Sequence, residues 1–64
     1  MPNFTVKQAR QFANLTQSEM ANILGIHVDT YRKIEINPEK ATVEQAKQIS
    51  EATGISYDCI FFAH

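Results

Sequence analysis

Apolar residues return along the chain every three or four positions, and no stretch alternates with period two over a useful length. Val6, Ala9 and Ala13 fall on one helical face; so do Met20, Ala21 and Leu24, then Thr30, Tyr31 and Ile34, then Val43, Ala46, Ile49 and Ala52. Three start signals repeat one design. Thr5-x-x-Gln8, Thr16-x-x-Glu19 and Thr42-x-x-Gln45 each set a hydroxyl at an N-cap and a Glu or Gln three residues on, so that two orphan N–H groups are satisfied reciprocally. Ser56 with Tyr57-Asp58 is a weaker fourth start, because Cys59 stands where the box wants Glu or Gln. Asn14-Leu15, Gly25, Asn37-Pro38 and Gly54 supply the stops. The pattern predicts helices near 5–13, 17–24, 28–36, 43–53 and 57–62 around one core, closed by Ile55, Ile60 and Phe61. The expectation is an all-α fold of five short helices, with residues 1–64 forming a single domain.

The informative stretch runs from Leu15 to Glu35. It holds a capped helix of two turns, the small residue Ala21, a glycine-containing turn of four residues and a second short helix, which is what a helix-turn-helix requires. Ala21 lets two helices cross closely, Gly25 supplies a positive φ that strains other residues, and Ile26 pins the turn to the core. Tyr31 and Ile34 then dock the second helix and leave its other face free. Advancing about 100° per residue, that helix turns Asp29, Arg32, Lys33 and Ile36 roughly away from the core.

Leu15-Thr16-Gln17, Glu19-Met20-Ala21, Leu24-Gly25-Ile26 and Tyr31-x-x-Ile34-Glu35 together resemble the phage repressor and Cro type of helix-turn-helix domain, the Xre-like family, over about residues 6–62. The resemblance implies a compact five-helix, lambda-repressor-like domain that binds double-stranded operator DNA with its third helix, usually as a dimer. By position it implies that Gln17 and its backbone amide clamp a phosphate, that Val28, Asp29, Arg32 and Lys33 lie in the major groove, and that Arg10 and Glu35 form a structural ion pair. His27 stands at the third helix's N-cap, where the family usually has Ser or Thr. Asn37 replaces a frequent Gly, and Thr42 a frequent Pro.

Each candidate has a plainer role beside the functional one. A solvated face is the ordinary fate of scattered charges such as Arg32, Lys33 and Lys40, yet the first two belong to the helix that the motif exposes. Asp29 serves either the helix macrodipole or a cytosine amino group. Val28 is either a bare surface residue or a contact for a thymine methyl. Gln17, an amide at a helix N-terminus, suits an anion.

Composition sharpens the picture and also opposes it. Hydrophobic residues make up 44% and charged residues 20%, the profile of a folding globular chain. The net charge is −1, whereas a DNA-binding surface is ordinarily basic; segregated charge would reconcile the two, because phosphates feel the local potential. The alternative is a protein-interaction module on the same scaffold, an antirepressor or accessory subunit with little DNA affinity. His27, Cys59 and His64 match no zinc spacing, and Cys59 sits in an apolar run without a base. Neither a Gly-rich phosphate loop nor a carboxylate pair in a cleft is present. No enzyme, cofactor, metal or small-molecule ligand is expected. One cysteine excludes an intrachain disulfide, and the absence of a signal-peptide or membrane-length apolar run points to the cytoplasm. Tyr57, Ile60, Phe61 and Phe62 are many large apolar residues for one short helix to bury inward, so Tyr57, Ile60 and Phe62 are the expected seam of a homodimer.

Overall fold

Three threonines start three of the helices. The computed structural model describes residues 4–62, with side chains through residue 61. In it α1 (Val6–Phe12) opens behind Thr5, α2 (Gln17–Leu24) behind Thr16, and, after α3 (Val28–Ile36), α4 (Val43–Thr53) opens behind Thr42. In each box the threonine hydroxyl accepts the N–H three residues on at 3.0 Å, and the Gln or Glu there accepts the threonine's own N–H at 2.8–3.0 Å. α3 starts differently: the Asp29 N–H donates to His27 Nδ1 at 3.1 Å, so a bare imidazole nitrogen replaces the hydroxyl.

The ends follow from backbone dihedrals. Asn14 (φ +59) and Gly25 (φ +70) take the left-handed conformation, and the next N–H reaches back five residues, from Leu15 to the Arg10 carbonyl at 3.2 Å and from Ile26 to the Ala21 carbonyl at 3.0 Å. α1 and α2 thus close by the same Schellman-type geometry, and Asn is the residue after glycine that tolerates it. α3 closes otherwise. Asn37 is extended (φ −136, ψ 90), as a residue before proline is driven to be, and its Oδ1 accepts the Glu39 N–H at 3.3 Å. This starts a 3-10 turn, Pro38–Lys40, absent from the elements predicted above. α5 (Asp58–Phe62) is wound as a π-helix, and the Phe4 N–H donates to the Cys59 carbonyl at 3.0 Å, fastening the start of the described chain to it. The architecture is all-α with five helices, and among the described residues there is no strand.

Val6, Ala9, Met20, Ala21, Leu24, Tyr31, Ile34, Ile49, Ile55 and Ile60 form the core. Three expectations are corrected. Thr30 is exposed: the seat of α3 centres on Tyr31, with Ile34 to one side and Val28 and Glu35 to the other, and Thr30 stands about 100° from Tyr31. Val43 is 65% exposed, because α4 buries Ala46, Ile49 and Thr53 and its first residue lies about 85° round the helix from their mean direction. Ile60 is 1% exposed and belongs to the core, so it has no surface to offer a partner. Buried Thr53, unpredicted, is satisfied by donating its hydroxyl to the Ile49 carbonyl at 2.9 Å. The side chain of Phe62 and all of His64 lie outside the described residues.

One polar contact crosses the core's edge. Arg10 Nε donates to Glu35 Oε2 at 2.6 Å, with side chains only 11% and 6% exposed, and Arg10 Nη1 donates to the Leu15 carbonyl at 2.8 Å. A single guanidinium thereby ties α1 to the α1–α2 turn and to α3. The buried Tyr31 hydroxyl lies beside the pair without a well-aligned hydrogen bond. Its burial and the nearby carboxylate push the phenol above its ordinary range. Burial pushes the Glu35 carboxyl up, but hydrogen bonding from Arg10 and Gln17, the adjacent Tyr31 hydroxyl and the charge of Arg10 outweigh it and hold it below its ordinary value.

Removing one member of a buried pair strands the other's charge, at a cost of about 3–5 kcal/mol. A domain of this size holds about 3–10 kcal/mol in all. Arg10→Ala and Glu35→Ala are therefore expected to bring urea unfolding close to zero denaturant, whereas exposed Lys47→Ala should cost under about 1 kcal/mol. Equal losses in all three would deny the pair its structural role.

Because the folded Glu35 pKa is depressed, its contribution to stability is complete above the ordinary carboxyl value of 4.5 and disappears as pH falls through the folded value. Melting temperatures measured from about pH 6 down to about pH 3 should fall less steeply for Glu35→Gln than for the wild type. Parallel curves would show that another group governs acid unfolding.

Candidate nucleic-acid interface

α2, the turn Gly25–His27 and α3 present one continuous surface. Tyr31 and Ile34 anchor α3 inward, while Asp29, Arg32, Lys33 and Ile36 are exposed on its outer side. Ile36 is 84% exposed, an apolar residue standing in the open at the end of the helix. Val28 is half-buried against the core, so part of its side chain is turned inward. His27 is exposed at the head of α3, and Lys40 is exposed on the 3-10 turn.

The side chains on this surface are chained together. Gln17 Nε2 donates to Glu35 Oε1 at 3.0 Å, and Arg32 Nε donates to Gln17 Oε1 at 3.1 Å. Arg32 Nη1 in turn donates to Asp29 Oδ1 at 2.7 Å, and Asp29 Oδ2 lies 3.7 Å from His27 Nδ1. Both ends of the Gln17 amide are engaged within the protein. An anion at the head of α2 would meet chiefly backbone N–H groups of the first turn, which have no intrahelical partner. The convergence of Gln17 and Asp29 on Arg32 was not foreseen. The i,i+3 spacing of Asp29 and Arg32 was its one visible sign.

Charge on this face is sparse and partly neutralised. Of six lysines and arginines, Arg10 is tied to Glu35 and Arg32 carries a carboxylate at 2.7 Å. Lys33 and Lys40 stand exposed, one on α3 and the other on the 3-10 turn. Among the described residues no group of three His, Cys, Asp or Glu could hold a metal ion, and no helix is long and apolar enough to cross a membrane. Cys59 is half-buried against the core.

No curated protein and no solved structure matches the chain. The profile of the family described as "Helix-turn-helix" matches residues 6–58. With that match running from the first turn of α1 into α5, the chain belongs to the Cro and phage-repressor type (Xre-like) of helix-turn-helix domains, a family of DNA-binding regulators.

Proposed function

We propose that the protein is a sequence-specific transcriptional regulator, a small repressor of phage or mobile-element type, that acts as a homodimer on operator DNA in the cytoplasm. The observation that carries this is the division of α3 into two faces, one seated by Tyr31 and Ile34 and the other bearing Asp29, Arg32, Lys33 and Ile36. Nine residues make a rod about 13 Å long, and the major groove is about 12 Å wide and admits one helix. In this arrangement Arg32 meets base edges, with Val28, Asp29 and His27 at the groove-side end of α3. Lys33 and Lys40 meet phosphates, and the Gln17 backbone amide caps another.

Dimerisation supplies what one module lacks, since a single small domain buries only about 600–1,000 Å² of surface on DNA. Exposed Val43 and half-buried Tyr57, which stacks on Phe61 at 5.2 Å between ring centres, line one groove on the α4–α5 side. This supports a seam there, with Phe62 continuing it in sequence. Two-fold symmetry then demands half-sites about 10–10.5 base pairs apart.

Neutralised cations favour the protein-interaction alternative, and salt dependence separates the two. With two or three phosphates engaged per domain, log affinity for duplex DNA should fall against log salt with a slope of about −2 to −3 per domain. Arg32→Ala/Lys33→Ala should abolish specific binding while melting normally. Absent binding at low salt, or an unaltered double variant, would return the chain to the interaction class.

In sedimentation, the wild type should form dimers that Tyr57→Ser/Phe62→Ser reduces to folded monomers. A wild type that stays monomeric at high concentration and binds a palindromic site without cooperativity would defeat the dimer.

A further inference from the structure

Arg32 differs from a free surface arginine in that its guanidinium is already held at two atoms. Nε is occupied by Gln17 Oε1 at 3.1 Å and Nη1 by Asp29 Oδ1 at 2.7 Å. Gln17 is itself fixed through Nε2 on Glu35, whose carboxylate is only 6% exposed and locked by Arg10. A continuous line of hydrogen bonds therefore runs from the buried ion pair to the exposed guanidinium on α3. Of the five N–H donors of a guanidinium, those left are on Nη1 and Nη2, at the tip. The lateral edge, which needs Nε, is closed.

A carboxylate at 2.7 Å also changes what the tip attracts. An isolated guanidinium on a DNA-facing helix goes readily to phosphate, the strongest anion nearby. Beside Asp29 the local charge is close to neutral, and a phosphate approaching Arg32 meets a carboxylate as well. A base edge carrying two neutral acceptors suffers no such repulsion and still accepts two parallel N–H bonds. In the major groove that edge is guanine, with N7 and O6 side by side; adenine and cytosine each expose an amino donor there.

We infer that Arg32 reads a guanine in each half-site with the tip of its guanidinium, and that Asp29 and Gln17 are positioning residues that set its orientation and turn it from phosphate to base. This rests on the DNA-binding reading proposed above and adds the base read and the residues that enforce it. Asp29 gains a definite part: it acts on specificity through Arg32. Its exposure, and that of Arg32, leaves the fold indifferent to the contact, since exposed ion pairs contribute little to stability.

The test selects random duplexes at low salt with the full chain, then titrates the selected site against wild type, Arg32→Ala, Asp29→Ala and Asp29→Asn, with melting curves as a control on folding. The wild type should select a motif with one fixed guanine per half-site, and changing that G·C pair to A·T should weaken binding about 5- to 150-fold, the range of one bidentate pair. Arg32→Ala should reduce this discrimination to within about twofold. Asp29→Ala should weaken the guanine preference, raise affinity for random duplex and steepen the salt slope by up to about 1 per domain as Arg32 turns to phosphate. Asp29→Asn, which keeps an acceptor but not the charge, should retain more of the preference than Asp29→Ala.

A selected motif without a fixed guanine, or a guanine preference that survives Arg32→Ala, overturns the proposal and leaves DNA binding intact. So does an Arg32→Ala variant that weakens every sequence alike, which marks a phosphate contact. An Asp29→Ala variant with unchanged preference overturns the positioning role. If the wild type retains no duplex at all, the DNA-binding reading fails and takes this inference with it.

Discussion

A guanidinium and a carboxylate placed almost out of water at the edge of a small core constrain everything around them. Desolvating both charges is unfavourable, and the attraction between them offsets it only if geometry is good and the remaining donors and acceptors are occupied. Here Arg10 engages Glu35 and the Leu15 carbonyl, and Glu35 engages Arg10 and Gln17. That requirement fixes α1, the α1–α2 turn, α2 and α3 relative to one another more tightly than apolar contact alone, which is non-directional. The pair contributes definition of geometry more than net stability. The same constraint continues outward, since the amide that satisfies Glu35 is the one that holds Arg32.

What could be read in the sequence was what is decided within a few residues. Thr5, Thr16 and Thr42 close their boxes over three residues, and Asn14, Gly25 and Gly54 take positive φ for local steric reasons, so five helices and most of their boundaries were legible. Rotation about a helix axis was less so. Thr30 and Val43 fit an apolar stripe by spacing, yet each lies about a quarter turn from the true seat, a choice made by the neighbouring helices. By sequence Ile60 suits both the core and the dimer seam, and only the first holds: the count of apolar residues in α5 gives no hint of which one is left for a partner. The 3-10 turn depends on an Asx contact from Asn37 to Glu39 that its extended backbone makes available. At the candidate interface, the outward face of α3 was legible from periodicity. The inward hold on Gln17 was not, because its partners lie 15 and 18 residues away.

An acidic net charge and a DNA-binding fold are reconciled by where the charges sit. The carboxylates of Glu35 and Asp29 are not scattered over the binding face; each is bound to an arginine. Such a surface attracts DNA weakly at long range. Non-specific affinity rests on the counterions released by engaged phosphates, and a face with few free cations releases few. On the proposed reading, discrimination between sites then depends more on short-range complementarity in the groove than on overall attraction, and less of the protein would be held on non-operator DNA.

The capping boxes carry a kinetic consequence. Each is complete within a segment of four residues, so the unfolded chain already has the correct starting point for α1, α2 and α4 before any distant contact forms, which lowers the nucleation penalty that makes isolated short helices rare. Helical folds dominated by such near-neighbour contacts reach the native state in microseconds to milliseconds. The Arg10–Glu35 bond spans 25 residues and gains strength only as water leaves its surroundings. The polar lock that orients the outer face of α3 is therefore the contact that depends most on the rest of the fold being in place.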